Sequence, residues 1–307
     1  MNRIFLVLVV GIIGVSGYLF ISAGKFGASE PRTIKMVIAH RPFSVFDRST
    51  QVFADELARL TGGTLKLEIV KPSQIGYSDE GDISKDDVVT LLKKGSVQVS
   101  TAIVSGFEDQ APLAGKLDDP FAFNTYADAE AFLDGVSGKE ILSQVSKSSS
   151  VEAIAFTFSG GFRSVALRDK SAAGVSALKG KRIVATGGKA VNEAFEKLGI
   201  LSSDDGNTAD GVEFTYTRAA ELPGGFTFPT IVETRHGLLA TMILVDDTFL
   251  RTLTPDQQDA LKRAATTAAA TEREDSIALA DKVRSDLVER GVQIIEVSDE
   301  KRASLRK

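Results

Sequence analysis

The sequence contains no cysteine. Disulfide bonds, thiolate metal sites, a cysteine nucleophile and a lipid anchor on cysteine are therefore excluded, and every compartment remains open. Histidine is scarce: His40 and His236 stand far apart in the chain, without the spacing of a metal site. Neither a G-x-S-x-G elbow nor a P-loop occurs. Lysine and arginine number 36 against 41 aspartates and glutamates, and a net charge of −5 offers no basic surface to nucleic acid. Repeats of fixed period and low-complexity tracts are also missing. The glycine pair at 187 and 188 precedes a helix, where free N–H groups can hold an anion, but without further glycines it reads as a turn. The acidic pair Asp118–Asp119 reads as ordinary loop. No catalytic residue set, metal or cofactor is expected, and so no enzyme activity.

What is present describes a globular protein of two lobes. A chain of 307 residues with 43% hydrophobic content is long for one compact core. Residues 1–30 form a separate unit: Arg3, then an uncharged run from Ile4 to Gly24. Ser22, Ala23 and Gly24 suit a signal-peptide cleavage site, whereas residues 4–21 are also long enough to span a bilayer. Export with cleavage is the reading taken, with an uncleaved inner-membrane anchor as the second. Both place the body in the periplasm.

Beyond the polar link "ASEPRT", "IKMVIAH" reads as a buried strand. Asp47 is placed to cap a helix from about Arg48 to Leu60, which "TGG" stops. "TLKLEIV" alternates as a strand, so strand, helix and strand follow within forty residues, the order of a parallel α/β unit. "DVVTLLKKG" and "TYADAEAFLDG" read as helices, "VQVSTAIV" as a strand, and "AIAFTF" as a strand interrupted by Gly160 and Gly161. "LKGKRIVAT" and "GLLATMILVDDTF" are strands and "KAVNEAFEKLGI" a helix, while residues 202–211 are exposed loop by composition. From Pro255 to about Arg290 nothing breaks a helix, which would exceed about 50 Å and lie across both lobes.

Taken in order, these segments resemble the substrate-binding proteins of tripartite ATP-independent periplasmic (TRAP) transporters, the dicarboxylate-binding-protein type (solute-binding protein family 7), as a divergent member. The resemblance rests on "FADELARLTGGTLKLEIVKPSQIG", "LLKKGSVQVSTA", "LDDPFAFNTYADAEAFLDG", "GGFRSVALRDKSAAGVSALKGKRI", "ADGVE", "ETRHG" and "LTPDQQDALKRAA". It covers roughly residues 33–297, and the ordered set rather than any one motif is specific. It implies an α/β, two-lobed fold of the periplasmic-binding-protein type II class, each lobe a β-sheet flanked by helices, with hinge strands and a long C-terminal helix spanning both. Lobe I is expected over 33–155 and 238–254, lobe II over 156–237 and 291–298, and the long helix over 255–290. The function implied is capture of a small organic acid between the lobes by a monomer, and its delivery to TRAP permease membrane subunits.

Arg163 follows two glycines in an otherwise apolar stretch. An arginine at a strand edge is ordinarily solvated; on the family's G-F-R motif it looks like a ligand contact, its guanidinium offering two parallel donors to a carboxylate. The family's second arginine aligns with Val184. Arg182, two residues earlier and on the same strand face, is either its replacement or a surface charge. Glu213 falls on the glutamate of V-D-G-x-E, with Phe214 where a small polar residue is usual. Arg235 takes the asparagine position of T-N-H, and His236 matches its histidine as a packed structural residue. His40, Arg41 and Tyr77 lie in loops where the family lines its cleft. "ILSSDDGNT" is too short for the family's helix before V-D-G-x-E, and the family's last helices are missing after "GVQIIEVS". These departures motivate the alternative function, a membrane-anchored paralogue serving as a ligand sensor or structural partner without transport.

Overall fold

A computed structural model describes residues 30–306 except 118, 186–188 and 223–224. The N-terminal apolar segment, Asp118 and the glycine pair at 187 and 188 lie outside the described residues. In chain order the elements are β1 (Arg32–Val37), α1 (Asp47–Leu60), β2 (Leu65–Val70), α2 (Lys85–Lys93), β3 (Val99–Ile103), α3 (Pro112–Gly115), α4 (Tyr126–Leu133), α5 (Val136–Ser149), β4 (Val151–Phe162), β5 (Ser164–Leu167), β6 (Arg182–Val184), α6 (Lys189–Leu198), β7 (Leu201–Ser203), β8 (Gly211–Phe214), α7 (Tyr216–Ala219), β9 (Thr230–Glu233), β10 (Leu238–Asp246), α8 (Asp247–Leu250), α9 (Pro255–Glu289), β11 (Gln293–Glu296) and α10 (Asp299–Arg306).

Two sheets result. The first runs β2-β1-β3-β10-β4 and the second β11-β9-β5-β8-β6-β7. β1 pairs parallel with β2 and β3, whereas β10 runs antiparallel to both β3 and β4. Every residue of β10 is buried, as a strand covered on both faces requires. Alternation along β1 sends Ile34 and Met36 to one face and Val37 to the other. On one side α1 seats Phe53 and Leu57, and on the other α2 and α5 seat Leu92, Ile141 and Val145. The second sheet is likewise sandwiched: α6 brings Val191, Phe195 and Leu198 to Val165 and Ile183, while Ala166 and Ile231 face α9. Each fully buried side chain of this size contributes about 1.5–3 kcal/mol.

The long helix α9 binds the halves together. Thr254 caps it by accepting from the Gln257 N–H at 3.3 Å, and Pro255 opens it where no N–H is needed. Leu261, Ala264, Ala265, Ala268 and Ala269 form one stripe against the first sheet, and small side chains there let the helix lie close to β4. Farther along, Ala280 and Leu287 join the core of the second lobe. Midway, the buried Glu272 carboxylate accepts the N–H groups of Phe158 and Ser159 at 2.6 and 2.8 Å and the Ser276 hydroxyl at 2.7 Å. Burial pushes this carboxyl up to about 7.

Several expectations are corrected by this architecture. The interruption expected at Gly160 and Gly161 is a shift of register rather than a break: β4 is displaced against β10 between Thr157 and Gly161, then continues to Phe162 with Gly161 opposite Leu239 and Phe162 opposite Leu238. The chain passes from the first sheet to the second at Arg163. Gly161 sits at φ 72°, and an added Cβ there would lie 2.2 Å from the Tyr126 hydroxyl. A second helix, α5, follows α4. Its serine-rich sequence obscured the helical spacing of Ile141, Val145 and Ser149, all buried. Asp47 is the first helical residue and Phe46 the cap, without a side-chain bond. One further helix, α10, follows β11, its Arg306 guanidinium bonding the Phe121 carbonyl at 2.7 Å and the Asn124 side chain at 3.2 Å.

Gly211, the glycine of "ADGVE", shows why that motif needs it: a Cβ there would lie 2.0 Å from the Ala166 carbonyl oxygen across the β5–β8 pair. Gly211→Ala is expected to cost about 1–3 kcal/mol by overpacking, measured as a lowered midpoint in urea unfolding.

Candidate functional site: the hinge and the mouth of the cleft

Besides α9, two chain crossings between the sheets lie side by side. Arg163 is the single residue between β4 of the first sheet and β5 of the second, and residues 234–237 carry the chain back from β9 to β10. The crossings bond to each other: the Arg163 N–H donates to the Gly237 carbonyl at 2.9 Å, and the His236 N–H donates to the Arg163 carbonyl at 3.3 Å.

The Arg163 side chain is buried there, 8% exposed. Its Nη1 donates to Oε1 of Glu213 at 3.3 Å. His236 Nε2 lies 3.0 Å from the same oxygen, and its Nδ1 lies 2.6 Å from the Thr234 hydroxyl. An ionised carboxylate only accepts, so Nε2 carries the hydrogen and Nδ1 accepts from Thr234. The edge of Phe195 packs against the imidazole, with centroids 5.7 Å apart. Sequence reasoning named Arg163, Glu213 and His236 separately, and the fold brings them together.

Arg235 projects to the other side of the hinge. It sits at φ 46°, a strained conformation for a long side chain. Its guanidinium donates to the Asn124 carbonyl at 3.5 Å and lies 5.9 Å from the Phe162 ring centre. With Phe162, Ser164, Tyr126, Tyr216 and Glu233 it lines a cavity of about 190 Å³ beneath α9. Within that wall Glu233 accepts from Tyr216 and Arg284 at 2.6 and 2.7 Å. Burial first, and Glu233 second, push the Tyr216 phenol upward.

The remaining candidates separate. Arg182 is exposed; its Nη2 donates to the Thr208 carbonyl at 2.5 Å, and its backbone is paired with Asp210, so it fastens the 205–210 loop. Val184, two residues on, is half-buried. Tyr77 packs against the core of the first lobe, where burial foremost and Asp87 behind it raise the phenol. His40 is buried at the C-terminal end of β1, its Nδ1 3.4 Å from the Thr101 hydroxyl and its ring edge-on to Phe46. Burial lowers it to about 4, opposed by Asp82 and assisted by Arg218 of the other lobe.

Around His40 the lobes touch through charged groups, of which only Arg41 was named from the sequence. Arg41 Nε lies 3.5 Å from a Glu221 carboxylate oxygen, and Arg218 Nη2 lies 3.2 Å from Asp82. Thr217 adds a hydroxyl bond to the Gly160 carbonyl at 3.2 Å. These partners follow "ADGVEF" in a segment without periodicity, and only the fold places them opposite the loops after β1 and β2.

Residues 40–204 and 205–307 match the family model described as DctP, bacterial extracellular solute-binding protein, family 7. The chain belongs to that family. An uncharacterised protein of Haemophilus influenzae is 22% identical over 282 residues, covering 89% of this chain and 80% of its own length. Among solved structures, a TRAP periplasmic solute binding protein from Ochrobactrum anthropi, with its C-terminus bound in the ligand-binding pocket, superposes with a TM-score of 0.78 at 18% identity, over 90% of this chain and 87% of that one. A TRAP periplasmic solute binding protein from Pseudomonas putida F1 with bound D-glucuronate gives 0.73 at 20%, over 89% and 90%. The sugar acid binding protein from Advenella mimigardefordensis in complex with galactonate gives 0.74 at 20%, over 90% of both chains. The present chain is thus a distant family-7 member, a bacterial extracellular solute-binding protein and not an enzyme, and it shares the two-lobed, type II fold of these structures. Among the described residues no helix is long and apolar enough to cross a membrane.

His40 and Glu272 impose opposite pH dependences on stability. His40 is held at about 4 against an ordinary 6.5, so its contribution is present above pH 6.5 and is lost as pH falls toward 4. Glu272 is raised to about 7 from 4.5, so its contribution is full below pH 4.5 and is lost as pH rises through 7. Over pH 4.5–6.5 the two offset. Glu272→Gln is expected to leave stability rising with pH in that window, and His40→Gln to leave it falling, each by at most about 1.4 kcal/mol per pH unit. Urea titrations at a series of pH values read both slopes.

Proposed function

We propose that the solute is a small organic acid, captured between the lobes with its carboxylate on Arg163 and handed to TRAP permease membrane subunits. The observation that carries this reading is a buried guanidinium at the crossing between sheets. A carboxylate leaving water needs a fixed charge and parallel donors. Glu213, itself positioned by His236 and Thr234, holds the arginine in place, and a guanidinium has five N–H donors to divide between a fixed partner and an incoming one. Bound D-glucuronate and galactonate in two relatives support an acid solute. His40 supports a site wall near the mouth, since its buried Nε2 has no hydrogen-bond partner among the described residues. Arg182, committed to Thr208, and Tyr77, packed beside Asp87, are left outside the proposed contacts, as is Arg235 behind the hinge. Solute binding would favour the closed form through contacts made to both lobes, and the protein would act as a monomer.

A second reading, a membrane-anchored sensor or structural partner without transport, is favoured by Val184 at the position of the family's second arginine. N-terminal sequencing separates the two: a mature start near residue 25 supports the free carrier, an intact Met1 in membranes the anchored partner.

Thermal-shift titration with a panel of sugar acids and short organic acids should identify a stabilising ligand. Arg163→Ala and Arg163→Lys should each weaken its binding at least about 30-fold, as truncating one member of a buried charged pair does. Wild-type affinity in either variant overturns the assignment.

A further inference from the structure

The turn after β1 holds a carboxylate already. Glu221, on the second lobe just after α7, places Oε1 2.9 Å from the Ser44 N–H and Oε2 3.3 Å from the Phe43 N–H. Arg41 Nε lies 3.5 Å from Oε2, and Arg41 Nη2 donates to the Glu221 carbonyl at 3.2 Å. Two consecutive backbone donors and a guanidinium around one carboxylate are the chemistry of acid recognition. The short 3-10 turn that begins at Ser44 runs straight into α1, which adds the positive end of a helix. Beside it Asp82 accepts the Arg41 N–H at 3.0 Å and pairs with Arg218 Nη2 at 3.2 Å, again from one lobe to the other. The Arg41 and Glu221 side chains are only 22% and 18% exposed, so solvent screens them less than an open surface pair.

We propose that the Arg41–Ser44 turn is a carboxylate receptor whose resident ligand is Glu221, and that this internal binding event closes the cleft in the absence of solute. A tethered carboxylate acts at a high effective concentration with no molecule recruited from solution. Any solute then reaches the cleft only in the fraction of molecules whose clasp has parted, and its apparent affinity falls by that fraction. This goes beyond acid capture at Arg163 and does not depend on it.

Because the chain lacks cysteine, spin labels on Lys66→Cys and Lys197→Cys, both exposed and on opposite lobes, report the lobe separation. In solute-free protein the separation should be short and narrowly distributed. Glu221→Ala combined with Asp82→Asn should raise the long-distance population at least about threefold, and Arg218→Ala should move it in the same direction. Molar sodium chloride should lengthen the wild-type distance and leave the double variant unchanged. Acetate at tens of millimolar should raise the melting midpoint of Glu221→Ala more than that of wild type, against chloride of equal ionic strength, without restoring the short distance. Distance distributions that coincide in wild type and both variants overturn the clasp, and an acetate effect equal in wild type and Glu221→Ala overturns the receptor. Arg163 is intact throughout, so failure of the organic-acid titrations would count against acid capture alone.

Discussion

The structure depends on one small patch of backbone, where the Arg163 N–H meets the Gly237 carbonyl and the Arg163 carbonyl meets the His236 N–H. Two antiparallel strands cross between the sheets there, and their mutual bonds keep the crossing from fraying. The side chains that leave this patch divide by strand alternation. Arg163 and His236 go to Glu213 on one side, while Phe162, Ser164 and Arg235 face α9 on the other. A buried cation placed here is costly without partners, and the Glu213 carboxylate, bonded also to His236, supplies one. The geometry of the junction and the chemistry assigned to it rest on the same residues.

Arg163 and Arg235 show how arginines on two paired chain crossings acquire different work. Arg163 shares a carboxylate with an imidazole in a buried setting. Arg235 is held at positive φ over an aromatic ring, with one long bond to a carbonyl. Arg182 differs again, spending its guanidinium on an exposed loop. Charge alone does not separate the three; the place of each in the fold, two on opposite sides of the crossings and one on β6, does.

Much of the fold was readable in the chain. β1, β3 and β10 carry apolar runs long enough to be recognised, β2 shows alternation, and α9 announces itself by a threonine, a proline and then unbroken alanine-rich helix. The interruption of β4 at Gly160 and Gly161 could be read from the glycines, but its form could not: the register against β10 shifts between Thr157 and Gly161 and then resumes, a pairing that only tertiary structure supplies. α5 was missed because serines dilute its apolar spacing. At the site, Arg163, Glu213 and His236 could be named from ordered motifs, but their convergence on one oxygen could not. Arg41, Asp82, Arg218 and Glu221 meet across more than one hundred residues of chain, and a long-range encounter between charges leaves no local periodicity to detect. The placement of Arg182 and Tyr77 was equally beyond sequence spacing, since each depends on a loop or helix partner.

The helix α9 has a mechanical implication. It is one unbroken rod fixed to the first sheet by Leu261 through Ala269, pinned under β4 by Glu272, and fixed to the second lobe by Ala280 and Leu287. Two bodies sharing such a rod cannot swing like a door on a loose pin. Their parting must bend or twist the stretch between Glu272 and Ala280, so the helix acts as an elastic element that limits the travel and stores a restoring torque toward its resting curvature.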